Sequence, residues 1–298
     1  MKRRNFIKAA TVSTVGAFMP FNRMDAETQQ VRNLPVRTKI CLNVYSFNAP
    51  LLAGEMTLDD VLEYAAQLGF EGVDLTGYYF PGYPQPPTDE YIYHIKHKAF
   101  SLGLEICGTL VRNNFSQADP VALETSMKLV KNWIEVTSKL GGQTMRVFSG
   151  SDVPAGQSRE EVFQRIVRCM KECAEYSSKH GVLLAIQNSN DFLKTAAQVL
   201  ELLKAVDSRW AGLMIDIDSY RSADPYEEIK QTVKYAITWQ LKEEVYINGV
   251  ATKTDFDKLK QIIDNSGFRG YLPIETLGEG DPKQKITAMY KEVKKRFG

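Results

Sequence analysis

The chain has 298 residues, of which 44% are hydrophobic and 24% are charged, and its formal net charge is +1. This composition is typical of a globular protein with enough apolar residues for one large core or two small ones. The nearly neutral balance argues against a nucleic-acid partner.

The first 26 residues have the pattern of an export signal. They begin with basic residues that include the pair Arg3-Arg4, and a short apolar stretch follows over residues 9–21. That stretch is too short to span a bilayer, which requires about 20 apolar residues. The order Arg-Arg-Asn-Phe-Ile-Lys is typical of a twin-arginine signal, although a disordered basic tail is the alternative. We therefore expect residues 1–26 to be a signal, residues 27–38 to be a linker, and the protein to be exported, with a periplasmic location and no membrane anchor.

Strand and helix patterns alternate without interruption from residue 39 to residue 298. The helical segments carry cap residues, such as Ser158 followed three residues later by Glu161, and glycines at their ends. The predicted strands cover residues 39–47, 70–76, 104–111, 143–149, 182–188, 211–217, 235–242 and 271–276. Eight such units in about 260 residues match the size of a (β/α)8 barrel. A doubly wound sheet usually has a glycine-rich turn after its first strand, which YSFNAPLLAGE lacks, so we predict one α/β domain, a single (β/α)8 TIM barrel over residues 39–298.

Polar residues stand where the predicted strands end, and in such barrels the active site forms at the carboxyl ends of the strands. This density of polar groups at one mouth indicates a pocket for a polyhydroxylated ligand. The residues are Asn43, Tyr45, Ser46, Asp74, Arg112, Asn113, Asn114, Arg146, Gln187, Asn188, Asp216, Asp218, Gln240, Lys242 and Glu275. Among them we predict that substrate is bound by Asn43, Tyr45, Asn113, Arg146 and Asn188.

Four of these side chains are candidate metal ligands on strands five to eight: Gln187, Asp216, Gln240 and Glu275. All four offer oxygen atoms, which hard divalent cations such as Mn²⁺ or Mg²⁺ prefer. Asp216 and Glu275 each end an apolar run, where an unpaired carboxylate is costly, and this favours a functional role. Gln187 and Gln240 have an alternative, because a buried glutamine can hydrogen-bond the backbone at the barrel rim.

Two basic residues lie within the same predicted strands. Lys242 is two residues beyond Gln240 and therefore on the same face of its strand. It is expected either to hold a substrate oxygen or polarise a carbonyl group, or to pair with the neighbouring carboxylates. Arg146 is either a substrate clamp or a member of a structural ion pair. No predicted strand ends in histidine, which argues against a histidine-based triad or a zinc site.

From about residue 39 onward, the chain resembles the sugar phosphate isomerase/epimerase-like proteins of the xylose isomerase-like TIM barrel superfamily. The resemblance rests on MRVFSG at strand four, IQNSND at strand five, GLMIDIDSY with DPYEEI at strand six, WQLKE at strand seven and GFRGYLPIET at strand eight. It implies one divalent metal held by Glu, Asp, His and Glu, with the two glutamates moving protons. At the matching positions here, Gln187 replaces the first glutamate and Gln240 replaces the histidine.

These two replacements limit the expected chemistry. An amide cannot accept a proton at neutral pH, so a two-base epimerisation lacks one of its bases. A one-base reaction fits, in which Glu275 abstracts a proton beside a metal-bound carbonyl and the enediolate isomerises or eliminates a leaving group. We predict a sugar isomerase/epimerase-like enzyme for a free sugar, keto-sugar or glycoside, with Glu275 and Lys242 catalytic and Mn²⁺ or Mg²⁺ as cofactor. The alternatives are an exported 3-keto-glycoside lyase and a non-catalytic carbohydrate-binding barrel. The sequence does not decide between a monomer and a homo-oligomer.

Overall fold

Eight parallel strands form a closed barrel in the computed structural model, which describes residues 37–189 and 191–298. The predicted export signal and the linker up to residue 36 lie outside these ranges. The barrel strands are β1 (Thr38–Asn43), β2 (Gly72–Thr76), β3 (Glu105–Leu110), β4 (Thr144–Phe148), β5 (Leu183–Gln187), β6 (Ala211–Asp216), β7 (Ala236–Lys242) and β10 (Gly270–Glu275). They follow one another around the barrel in chain order, and β10 pairs with β1 to close it. An antiparallel hairpin, β8 (Glu244–Ile247) and β9 (Val250–Lys253), follows β7.

Helices follow the barrel strands along the chain. They are α1 (Asn48–Leu52), α2 (Leu58–Leu68), α3 (Asp89–Ser101), α4 (Pro120–Leu140), α5 (Arg159–His180), α6 (Ala196–Val206), α7 (Pro225–Thr232), α8 (Phe256–Ser266) and α9 (Pro282–Phe297). The predicted cap of α5 is present, because Ser158 and Glu161 form a reciprocal capping box and Gly181 ends the helix with a φ of +68°. Within the described ranges, no helix is long and apolar enough to cross a membrane.

The structure confirms the predicted barrel and departs from the predicted elements at two places. Strand β1 begins one residue early, at Thr38, and residues 44–47 form a 3-10 turn instead of extending the strand. The Asn43 side chain stabilises that turn by accepting a hydrogen bond from the Tyr45 N–H at 2.9 Å. The hairpin β8–β9 was not predicted, because its strands have only four residues each. Its turn is Asn248-Gly249, both at positive φ, which is the residue pair that a tight hairpin favours.

The alternation of side chains along β7 separates the apolar core from the polar interior. Trp239 and Leu241 belong to the main apolar cluster, and the Trp239 ring packs edge-to-face on Phe268 at 6.0 Å between centroids. Gln240 and Lys242 lie on the opposite face and are buried inside the barrel mouth. Because successive side chains of a strand point to opposite faces, one strand contributes both to the core and to the candidate site.

Gly108 on β3 allows the close approach of β4. A β-carbon at this position would lie 2.3 Å from Thr144 Oγ1 and 2.9 Å from the Thr144 carbonyl oxygen. We expect Gly108→Ala to lower the free energy of unfolding by about 2 kcal/mol, because the backbone of β4 must move. The measurement is urea unfolding followed by circular dichroism.

Gly82→Ala is the matched control for this change. Gly82 has a φ of +83° and no atom within 4 Å of the added carbon, so only backbone strain of about 1 kcal/mol is expected. A loss at Gly108 no greater than the loss at Gly82 would contradict the steric explanation.

Candidate active site

The polar side chains that end the strands converge inside the carboxyl-terminal mouth of the barrel. Asp216 on β6 lies opposite Gln240 on β7, and Glu275 on β10 lies opposite Lys242. All four are buried, with between 2% and 9% of their surface exposed. Gln187 at the end of β5 joins them, because its Nε2 donates to Asp216 Oδ2 at 2.7 Å. The structure thus brings the four predicted metal ligands and the predicted catalytic lysine into one cluster.

Lys242 lies at the centre of three carboxylates. The distances from its Nζ are 3.3 Å to Asp216 Oδ2, 2.8 Å to Asp218 Oδ2 and 3.2 Å to Glu275 Oε2. Burial lowers the pKa of Lys242, but the charges of these carboxylates outweigh it and raise the pKa above its ordinary value. Burial, together with the adjacent Asp218 charge, raises the pKa of Asp216, and the ammonium group of Lys242 opposes that shift. Of the two interpretations of Lys242, the structure shows the pairing with carboxylates, and a catalytic role stays a prediction.

Arg146 fixes the orientation of the Gln240 amide. Its Nη1 donates to Gln240 Oε1, and Gln240 Nε2 in turn donates to Glu275 Oε2. The reverse orientation would place the amide NH₂ against the guanidinium group and the amide oxygen against the carboxylate. Arg146 Nη2 also lies 3.6 Å from Asp74 Oδ2. Arg146 is therefore a member of a buried ion pair, and its predicted contact with substrate stays a prediction.

Two predicted substrate-binding asparagines hydrogen-bond to the backbone of neighbouring strands. Asn113 donates to the Phe148 carbonyl at 2.8 Å and accepts from the Phe148 N–H at 2.9 Å. Asn188 makes the same pair of bonds with the Asp216 backbone, at 2.9 and 2.8 Å. Each side chain thereby extends the barrel hydrogen bonding past the end of a strand. These contacts fix the ends of the strands. The prediction that Asn113 and Asn188 bind substrate stays a prediction.

A tyrosine cluster of Tyr45, Tyr78 and Tyr83 forms another part of the mouth, and the sequence analysis named only Tyr45 of the three. Tyr78 packs edge-to-face on Tyr45 at 6.4 Å and on Tyr83 at 5.2 Å between centroids. Burial raises the pKa of Tyr78 to about 12, so its hydroxyl stays protonated. The run GYYFPGY immediately after β2 was the available signal. Ligand pockets are commonly lined by aromatic side chains together with a few polar groups.

Two neighbouring cavities open at this mouth. One of about 80 Å³ is lined by the charged cluster, including Asp218, Lys242 and Glu275. The other, of about 530 Å³, is lined by Tyr45 and the loops that follow β1 and β10, and Leu277 borders both. A cavity of about 660 Å³ lies elsewhere, beside Lys39, Glu105 and Tyr271 near the starts of their strands. We place the candidate site at the mouth, because active sites of such barrels lie at the carboxyl ends of strands.

The four predicted ligands do not fit a divalent cation in this arrangement. Within residues 37–189 and 191–298, no three His, Cys, Asp or Glu side chains are grouped to hold a metal ion. Gln187 and Gln240 turn their NH₂ groups, not their oxygens, toward the two carboxylates. Gln187 Oε1 is buried and has no hydrogen-bond partner in the described part of the chain, which leaves a single neutral acceptor. The predicted ligand set does not fit a metal ion because the amides of Gln187 and Gln240 act as hydrogen-bond donors.

A closed parallel barrel with polar groups converging at the carboxyl ends of its strands defines a TIM-barrel protein with a candidate active site at the mouth. Residues 62–294 match the family model described as xylose isomerase-like TIM barrel. The chain therefore belongs to the xylose isomerase-like TIM barrel family. This confirms the predicted fold class and the resemblance, and it agrees with the prediction that the protein is an enzyme.

Solved structures share this fold over almost the whole described chain. A D-psicose 3-epimerase studied with D-fructose gives a TM-score of 0.74 at 13% identity, covering 88% of this chain and 100% of its own. A 3-keto-D-glucoside 4-epimerase from E. coli gives 0.71 at 12% identity, covering 87% and 100%. A probable 3-DHS dehydratase from Bacillus anthracis gives 0.67 at 18% identity, covering 86% and 99%. At these identities the likeness establishes the fold alone. No curated protein sequence matches the chain.

Proposed function

We propose that this protein is a sugar isomerase/epimerase-like enzyme that moves a proton with Glu275 as its single base. The observation that carries the proposal is the position of the Glu275 carboxylate at the mouth. Its Oε2 accepts a hydrogen bond from Gln240 Nε2 and lies 3.2 Å from Lys242 Nζ, whereas its Oε1 makes no hydrogen bond within the described ranges. One oxygen is thereby held in place, and the other is left to take a proton from a substrate.

The acid and base groups of the cluster lie on one side of the barrel. Asp216 and Glu275 are the last residues of β6 and β10, and Asp218 follows β6. The end of β5 presents instead the amide of Gln187, which cannot take up a proton. A single base suffices to carry a proton between neighbouring carbons on one face of an enediol. Inversion at a carbon requires protonation from the opposite face by a second group. The arrangement therefore favours isomerisation over two-base epimerisation.

A free sugar, keto-sugar or glycoside is the substrate class that we propose. Two of the structural neighbours act on such compounds, since they are a D-psicose 3-epimerase and a 3-keto-D-glucoside 4-epimerase. The cavity of about 530 Å³ beside the tyrosine cluster has the volume of a small-molecule site. The proposed export signal at residues 1–26 favours a sugar without phosphate, because phosphorylated sugars are scarce outside the cytoplasm.

Elimination from a 3-keto-glycoside is the second candidate function. It shares the first step, removal of a proton beside a carbonyl group, and differs in that the enolate then expels a leaving group. Two structural neighbours favour it, because one acts on a 3-keto-D-glucoside and another is described as a probable dehydratase. A single base is sufficient for this reaction as well.

Mass spectrometry of a substrate panel tests both candidates. Purified protein is incubated in D₂O with free sugars, keto-sugars and keto-glycosides. Isomerisation is expected to give a product of unchanged formula that carries deuterium, because the proton on the base exchanges with solvent. Elimination is expected to release the leaving group. Binding of a sugar without turnover and without deuterium incorporation would contradict the proposal and identify a non-catalytic carbohydrate-binding barrel.

A further inference from the structure

Lys242 occupies the place among the carboxylates that a divalent cation would need. A Mg²⁺ ion bound to Asp216 Oδ2 and Glu275 Oε2 would lie about 2.0–2.1 Å from each oxygen. Lys242 Nζ lies 3.3 Å from the first oxygen and 3.2 Å from the second. A cation at that point would stand against the ammonium group. The two positive charges would repel one another inside a buried site where electrostatic interactions are strong.

The ammonium group of Lys242 is already paired with carboxylates. An ammonium group has three donors, and three carboxylates lie within reach, with Asp218 Oδ2 the nearest at 2.8 Å. The two amides that replace charged or basic ligands also point their donors inward. Gln187 gives its NH₂ to Asp216, and Gln240 gives its NH₂ to Glu275. The oxygens that a metal would bind are therefore already shared among three nitrogen donors.

Arg146 prevents Gln240 from turning into a ligand. Gln240 Oε1 accepts from Arg146 Nη1, and Arg146 is only 4% exposed, so water cannot readily replace this acceptor. Rotating the amide to offer its oxygen to a metal would leave a buried guanidinium N–H opposite an NH₂ group. The loss of a buried charged hydrogen bond opposes that rotation.

We propose that the ammonium group of Lys242 replaces the divalent cation, so that this protein is independent of metal ions. The fixed charge of Lys242 orients Glu275 through Oε2 and supplies the positive charge beside the substrate. Only the second of these roles, supplying positive charge beside the substrate, rests on the proposed function. Metal binding itself does not depend on which reaction the protein catalyses.

Metal titration of the purified, tag-free protein tests the proposal. The protein is dialysed against EDTA, exchanged into buffer, and titrated with Mn²⁺ and with Mg²⁺ by calorimetry and by thermal unfolding. We expect no stoichiometric binding and no change in the thermal midpoint. Binding of one equivalent of Mn²⁺, with a midpoint rise of roughly 5 °C or more at saturation, would overturn the proposal.

Replacing Lys242 provides a variant in which Mn²⁺ binding is expected to appear. Lys242→Met releases three carboxylates, and the folded variant is expected to bind Mn²⁺ at least about tenfold more tightly than the wild type. Lys242→Arg keeps the positive charge and is expected to gain no affinity. Lys253→Met makes the same substitution at an exposed position on β9 and is the matched control. A folded Lys242→Met variant without Mn²⁺ binding would overturn the claim that the charge of Lys242 is what excludes the cation.

The two proposals fail in distinguishable ways. If the protein turns over a sugar and also binds Mn²⁺, metal independence is wrong and the proposed function stands. If no member of the sugar panel reacts, the calorimetric result on wild type still decides metal binding. If both proposals hold, the protein turns over a sugar, its rate is unchanged after EDTA dialysis, and it binds no Mn²⁺.

Discussion

A Glu275→Gln variant is expected to lose about a thousandfold in kcat on any substrate that the wild type turns over. The substitution keeps the size of the side chain but removes its charge, and an amide cannot take up the proton. Removal of a general base typically costs between about a hundredfold and ten thousandfold in rate. The assay is product formation under saturating substrate, with deuterium incorporation measured in parallel, because a lost base abolishes both.

Glu279→Gln is the control for this change. Glu279 is exposed in the loop after β10, four residues beyond the proposed base. It is expected to retain wild-type kcat and KM. Thermal unfolding of both variants separates a loss of chemistry from a loss of fold. A Glu275→Gln variant that unfolds like wild type and keeps its kcat would remove Glu275 from the proposed role.

An Arg146→Met variant is expected to lose about 3 kcal/mol of folding stability at neutral pH. Asp74 and Arg146 are both buried, with 6% and 4% of their surface exposed, and the arginine is the cation 3.6 Å from the aspartate. Removing one partner of a buried ion pair leaves the other charge without compensation, which typically costs about 3–5 kcal/mol. The measurement is the urea midpoint compared with wild type.

The pH dependence of this loss has a definite sign. Burial raises the pKa of Asp74, and Arg146 opposes that shift, so the variant raises the pKa further. A carboxyl group whose folded pKa exceeds its unfolded value binds more protons when folded. The loss of folding stability of the Arg146→Met variant relative to wild type should therefore be smallest near pH 4 and increase toward neutral pH. The double variant Arg146→Met with Asp74→Asn is expected to recover part of the stability, and no recovery would contradict the ion-pair explanation.

The fold could be predicted from the sequence because the barrel depends on short-range patterns. Each apolar run is ended by a polar residue and followed by a capped helix, and seven of the eight predicted strands agree with the structure within two residues. The exception is the end of β1, where the Asn43 side chain forms a turn that the apolar run YSF did not reveal. The hairpin β8–β9 was missed because four-residue strands carry too little pattern.

The site could be predicted as a set of residues but not as a set of interactions. Strand-end positions alone place Gln187, Asp216, Gln240, Lys242 and Glu275 around one mouth. Which way an amide points depends on partners distant in sequence. Arg146 is 94 residues from Gln240, and it decides that the amide donates toward Glu275. Tyr78 and Tyr83 were overlooked for a related reason, since aromatic residues in a loop can equally well belong to the core.

The hydrogen-bond chain from Arg146 through Gln240 to Glu275 constrains how this protein can change in evolution. A step toward a metal-binding set by Gln187→Glu adds a carboxylate to a cluster that already has three around Lys242. Gln240→His removes the amide that joins the buried Arg146 to Glu275. Loss of Lys242 leaves the carboxylates to repel one another. Each single step is expected to lower stability while the remaining residues are unchanged, so a change to a metal-binding site would require several substitutions together.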